Sequence, residues 1–152
     1  MIKKLLILSL LFLYACSGYT PVFSKKTNYK FNSIELNGEK RLNQILYRNI
    51  KSLENENAEN IIFLSLIIDT QKTKKIHSKD VKGNPNKYKM EIKTTVEIDL
   101  NNNAAGKKDF IVSEIYDDFD SQFELNKYEK KIIDIMTERL SEKIIIYLRT
   151  LE

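Results

Sequence analysis

The chain has 152 residues, 42% hydrophobic and 30% charged, with a formal net charge of +4. That is the balance of a water-soluble body large enough for one core, and its charge is too mild to argue for nucleic acid. One cysteine excludes an internal disulfide, and one histidine without metal-spaced companions gives no footing for metal or nucleophilic catalysis.

Lys3 and Lys4 begin the chain with positive charge, and the run LLILSLLFLY follows at residues 5 to 14. A membrane-spanning helix needs roughly 20 apolar residues, so this run reads as the core of an export signal. Leu13 and Ala15 stand three and one places before Cys16, and LYAC resembles the lipobox of bacterial lipoprotein precursors. Residues 1–15 are therefore read as a cleaved signal peptide and Cys16 as a lipidated N-terminus. The alternative is an ordinary cleaved signal followed by a chance cysteine; the place of the sole cysteine speaks against it. Each buried acyl CH₂ contributes about 0.8 kcal/mol, so several chains anchor firmly where one is marginal. Position 17 is Ser rather than the Asp linked with inner-membrane retention, which points to the outer membrane. The mature chain keeps 137 residues (152 less 15) and a charge near +2.

Residues 16–28, Cys16 followed by SGYTPVFSKKTN, include Gly18 and Pro21 and read as a lipidated tether. Tyr19, Val22 and Phe23 could instead dock on the domain or a partner. Residues 29–152 read as one domain. YKFNSIEL, residues 29 to 36, is a short strand ended by Asn37-Gly38. Leu42, Ile45, Leu46, Asn49, Ile50 and Leu53 line one face of a helix over about residues 39 to 53. Residues 54 to 60 form a polar connection.

IIFLSLIID, residues 61 to 69, is apolar almost throughout and reads as a central strand buried on both faces. Beyond the polar TQKTKKIHSK, Gly83, Asn84 and Pro85 mark a turn. Residues 88 to 100 then alternate cleanly. Tyr88, Met90, Ile92, Thr94, Val96, Ile98 and Leu100 point to a core; Lys89, Glu91, Lys93, Thr95, Glu97 and Asp99 point to water. A loop, NNNAAGKK, leads to a strand at residues 109 to 119, so two long hairpins are expected.

Ser121-x-x-Glu124 has the form of a capping box and starts the last helix. Leu125, Tyr128, Ile132, Met136, Leu140, Ile144, Tyr147 and Leu151 keep its stripe. About 28 residues make a rod of roughly 40 Å. Ile144 to Tyr147 broaden the stripe, as core or as a partner contact.

The order strand, helix, three strands, helix predicts an α+β two-layer sandwich, with two helices on one face of a four-stranded mixed sheet. The other face is polar. It would meet solvent, or the polar lumen of a β-barrel. Lys89, Glu91, Lys93 and Glu97 are the residues such a partner would touch. A basic group, Lys72, Lys74, Lys75 and His77, with Lys79 and Lys82 before the turn and Lys87 and Lys89 after it, gathers at one hairpin end; Lys72, Lys74, Lys75, Lys87 and Lys89 are its candidate anion-binding residues. In strand geometry Lys72 and Lys74 share a face, and Lys75 and His77 the other. The group suits a phosphorylated anion; a solvated edge that resists aggregation would use the same lysines. Asp117, Asp118 and Asp120 lack the spacing of a calcium loop and read more simply as charge compensation at a helix start.

Cys16 with SGYTPVF resembles the CGFxPLY-type start of the lipopolysaccharide-assembly lipoproteins, the LptE family, in its alphaproteobacterial form. FNSIELNGEKRLNQILYRNIKSL resembles that family's first strand and helix, including Arg41, Asn43 and Gln44. The turn and strand from Asp80 through Lys89, and EIYDDFDSQFELNKYEK, continue the likeness over the mature chain. The resemblance implies a non-enzymatic outer-membrane lipoprotein without cofactors. It implies a plug inside an LptD-like β-barrel, facing the lumen or the periplasm. It also implies that the plug helps assemble the barrel and deliver lipopolysaccharide, which family members contact through basic residues in this region. The alternative is a periplasm-facing binding or scaffold lipoprotein with no barrel partner.

Overall fold

The computed structural model describes residues 27–55 and 61–151. The expected signal peptide, Cys16 and the tether up to residue 26 lie outside them. Six elements follow: β1 (Tyr29–Gly38), α1 (Lys40–Lys51), β2 (Ile62–Lys79), β3 (Pro85–Leu100), β4 (Asn103–Asp117) and α2 (Gln122–Arg149). The strands form one sheet in the order β1-β2-β3-β4, with β1 parallel to β2 and the other pairs antiparallel. Parallel strands need a crossover, and α1 supplies it. Both helices cover the same face, so the fold is the expected α+β two-layer sandwich.

One core lies between the layers. Leu64, Leu66 and Ile68 of β2 are buried beside Met90, Ile92, Val96 and Ile98 of β3. They meet Leu42, Leu46 and Ile50 of α1 and Ile132, Met136, Leu140, Ile144 and Leu148 of α2. Each such side chain, fully buried, contributes about 1.5–3 kcal/mol. Thr70 and Thr94 are buried too, and their hydroxyls satisfy each other at 3.2 Å. The buried Tyr29 hydroxyl donates to the Leu148 carbonyl at 2.6 Å, and the Thr27 hydroxyl donates to the Leu53 carbonyl. These bonds fix the chain's entry against the ends of both helices.

Several local readings change. β2 runs to Lys79, far beyond residue 69. Its polar half is strand because it pairs with β3 as far as Pro85, and not because it is buried. β2 is central, yet Phe63 and Ile67 are 41% and 40% exposed, so it is buried on one face only. Asn101 and Asn102 hold positive φ angles of 50° and 65°, the signature of a tight hairpin turn, so β4 starts at Asn103. Ser121 is the N-cap of α2, but its side chain makes no capping bond; the first turn opens with the Leu125 N–H donating to the Ser121 carbonyl at 3.0 Å. In the broadened stripe, Ile144 and Ile145 are core and Ile146 is exposed.

Gly38 ends β1 at a φ of +109°, and a Cβ there would lie 2.1 Å from the Thr70 carbonyl oxygen. Only glycine lets the end of β1 come this close to β2.

Candidate functional site

The sheet face turned away from the helices is uncovered. Register sets its composition in rows. Lys75, Lys89 and Ile115 lie directly opposite one another; so do Gln71, Lys93 and Ile111; so do Ile67, Glu97 and Lys107. The expected partner-facing residues Lys89, Glu91, Lys93 and Glu97 all belong to this face, because β3 alternates without a break from Lys87 to Ile98.

Most of their charges are already matched within the sheet. Lys93 pairs with Asp109 at 2.7 Å, Lys107 with Glu97 at 2.5 Å, Lys89 with Glu91 at 3.0 Å and Lys87 with Asp117 at 3.2 Å. Hydrogen bonds from the Lys93 and Thr95 side chains hold the Asp109 carboxyl below its usual range. The hydrogen bond to Glu97, followed by its charge, raises the Lys107 ammonium.

Apolar side chains stand among these charges. Ile111 and Ile115 are 48% and 47% exposed, and Phe63 and Ile67 belong to the same face. Sequence reasoning missed all four as surface residues. The signal was there, since β2 and β4 are apolar at both parities while the helices cover only one.

The basic group divides by face. Lys72 and Lys74 lie on the helix side, where Lys72 meets Glu39 at 2.6 Å and Lys74 meets Glu129 at 2.5 Å. The Lys74 ammonium also sits 4.1 Å from the centre of the Tyr88 ring. These two lysines tie the outer part of β2 to the starts of α1 and α2. Lys75, Lys87 and Lys89 lie on the open face, and Lys75 stands directly opposite Lys89. Like charges so placed destabilise a sheet. Lys75 has no ion pair among the described residues.

Beneath the hairpin, Tyr88, Tyr116, Tyr128 and Phe119 form a chain of rings with centres 5.2–5.9 Å apart. The Tyr116 hydroxyl donates to Glu129 at 2.7 Å; burial first, and this acceptor second, raise its pKa above the usual tyrosine value. At the tip, the Asp80 carboxylate accepts the backbone N–H groups of Lys82 and Asn84, both at 2.8 Å, and these bonds lower its pKa.

On the outer side of the helices, Arg41 grips Asp134 through two bonds of 2.8 and 2.6 Å, and Arg48 reaches Glu138 at 2.8 Å. These pairs line a shallow cleft of about 430 Å³ with Gln44 and Ile45. Asn43 is half-buried, and its side-chain oxygen accepts no hydrogen bond. Among the described residues, no three His, Cys, Asp or Glu side chains are grouped to hold a metal ion. Asp118 accepts the Phe119 N–H at 2.9 Å just before α2.

The fold is similar to solved structures of bacterial lipoproteins. Rare lipoprotein B of Shewanella oneidensis matches with a TM-score of 0.62 and 15% identity, over 79% of this chain and 96% of its own. A minor lipoprotein of Acinetobacter baumannii matches with a TM-score of 0.57 and 16% identity, over 76% of this chain and 87% of its own. Lipoprotein B of Nitrosomonas europaea matches with a TM-score of 0.56 and 13% identity, over 84% of this chain and 87% of its own. No family model and no curated protein sequence matches the chain. At such identities the likeness establishes the fold: two helices on a four-stranded sheet, an architecture that these lipoproteins share.

Proposed function

We propose that this protein is a lipid-anchored outer-membrane plug that helps assemble a β-barrel lipopolysaccharide translocon and aids lipopolysaccharide insertion at the cell surface. The open sheet face carries this reading. Single exposed apolar residues need no explanation. Four on one polar, uncovered face suit a partner surface that is itself mixed, such as the polar lumen of a barrel. The lipobox at Cys16 and the likeness of the fold to lipoproteins support the anchor.

Lys75 opposite Lys89 supports direct contact with lipopolysaccharide. A phosphate between them turns a repulsion into two charge-assisted hydrogen bonds. Lys87 is one step further toward the tip; it and Lys89 would share a phosphate with Asp117 and Glu91, at 3.2 and 3.0 Å, whereas Lys72 and Lys74 are held more closely by Glu39 and Glu129 on the other face. On this reading the protein binds and scaffolds, and catalyses nothing.

The second reading, a periplasm-facing scaffold lipoprotein without a barrel, rests on the four ion pairs that already balance the open face. Purification of the tagged, lipidated chain from its own membranes in mild detergent, with mass identification of partners, separates the two. The plug reading expects one large β-barrel near one to one. A clean monomer, under conditions that keep other envelope complexes intact, favours the scaffold.

A further inference from the structure

The open face is polarised along its length. Tyr29 lies opposite Ile62, and the Asn101 N–H donates to the Phe63 carbonyl at 2.9 Å. The tether's entry and the β3–β4 turn therefore share one end of the molecule. The β2–β3 turn around Asp80 is at the other end, roughly 60 Å along the 18 residues of β2.

Once the ion pairs within the sheet are set aside, the remaining charges segregate. Lys75 on the face, with Lys79 at the end of β2 and Lys82 in the β2–β3 turn, marks one end, and Glu35, Asp69 and Asp99 lie toward the entry end. Asp80 at the tip is the counter-example at one end; turn N–H groups hold its carboxylate ionised, and the three lysines outnumber it. Lys30 is the counter-example at the other, one ammonium set against three carboxylates.

We infer that the open face is a bipolar docking surface. Its partner is a barrel wall that is acidic opposite the β2–β3 turn and basic opposite the entry end. This rests on the plug reading and adds a direction to it. The lipid anchor holds the acidic end at the membrane, and the charge pattern admits the domain only with the β2–β3 turn leading. A uniformly charged or neutral face would accept either direction. Complementary potentials fix the register of a complex more than they raise its affinity.

The test uses the lipidated full chain and three charge variants. One is Lys75→Glu with Lys82→Glu, one is Glu35→Lys with Asp69→Lys, and one combines all four, restoring the wild-type net charge. All four side chains are exposed, and circular dichroism checks that each variant folds. Should a reversal fail to fold, Lys75→Gln with Lys82→Gln and Glu35→Gln with Asp69→Asn read the same sign at smaller size. Each double reversal is expected to lower the barrel recovered at low salt by about fivefold, and the four together by more. High salt should shrink these differences.

Wild-type recovery of a barrel with undiminished recovery by the fourfold variant overturns the bipolar face and leaves the plug standing. One double weakening and the other strengthening recovery overturns it too, since net charge alone would then decide. Wild type recovering no barrel overturns the plug reading, and this inference with it.

Discussion

The two faces of the sheet are built from the same strands and obey different rules. On the helix side, Leu66, Ile92 and Leu140 reach 0% exposure, and the polar exceptions Thr70 and Thr94 satisfy each other. On the open side, charges pair within reach of water, while Ile67, Ile111 and Ile115 keep 40–48% of their surface exposed. The first face minimises the free energy of this chain alone. The second leaves apolar area unburied and sets Lys75, without an ion pair among the described residues, opposite Lys89, which Glu91 holds. That difference is what the plug proposal sets out to explain.

That contrast is sharpest for large-to-small substitutions. Leu66→Ala should cost about 2–5 kcal/mol in urea unfolding. Ile115→Ala, on the open face, should cost well under about 1 kcal/mol in the isolated domain and yet reduce barrel recovery from membranes. Equal costs for the two would erase the distinction between faces. Gly38→Ala should cost about 1–3 kcal/mol, because the new Cβ meets the Thr70 carbonyl at a backbone angle only glycine adopts easily. Thr70→Val alone should cost about 1–3 kcal/mol by stranding the Thr94 hydroxyl; adding Thr94→Val should recover part of it in a double-mutant cycle.

Tyr116 gives a pH-dependent version of the comparison. Its hydroxyl is raised by burial and by Glu129, so the neutral form is favoured in the folded state. Its contribution is complete below the unfolded value near 10 and is lost as pH rises from there toward the folded value. Unfolding measured above about pH 10 should therefore show a steeper decline for wild type than for Tyr116→Phe. The smallest effect belongs to the open face itself. Lys93→Ala, which breaks the exposed pair with Asp109, should leave stability within measurement error.

The helix-side face was legible in the sequence because one periodicity explained it. Met90, Ile92, Val96 and Ile98 alternate with charges, and Leu42, Leu46 and Ile50 recur at helical spacing. Where apolar residues occupied both parities, as in IIFLSLIID, local pattern offered double burial as the reading. A strand covered by helices on one face and exposed on the other has the same composition. The polar half of β2 escaped notice because pairing with β3, a long-range fact, makes it strand. For the lysines, alternation separated Lys72 and Lys74 from Lys75. What commits the first two is Glu39 and Glu129, and the second of these is 55 residues from Lys74. The Asn101-Asn102 turn was hidden inside a run of polar residues without the glycine that announces most such turns.

Under the plug proposal, the open face lies against a barrel in the membrane. A photo-crosslinking residue placed at Ile111 in the full-length, lipidated chain, activated in its own membranes, tests it most directly. One dominant high-mass adduct containing an outer-membrane β-barrel is expected. Efficient incorporation and lipidation with no barrel adduct would contradict it, and would leave this face turned toward the periplasm.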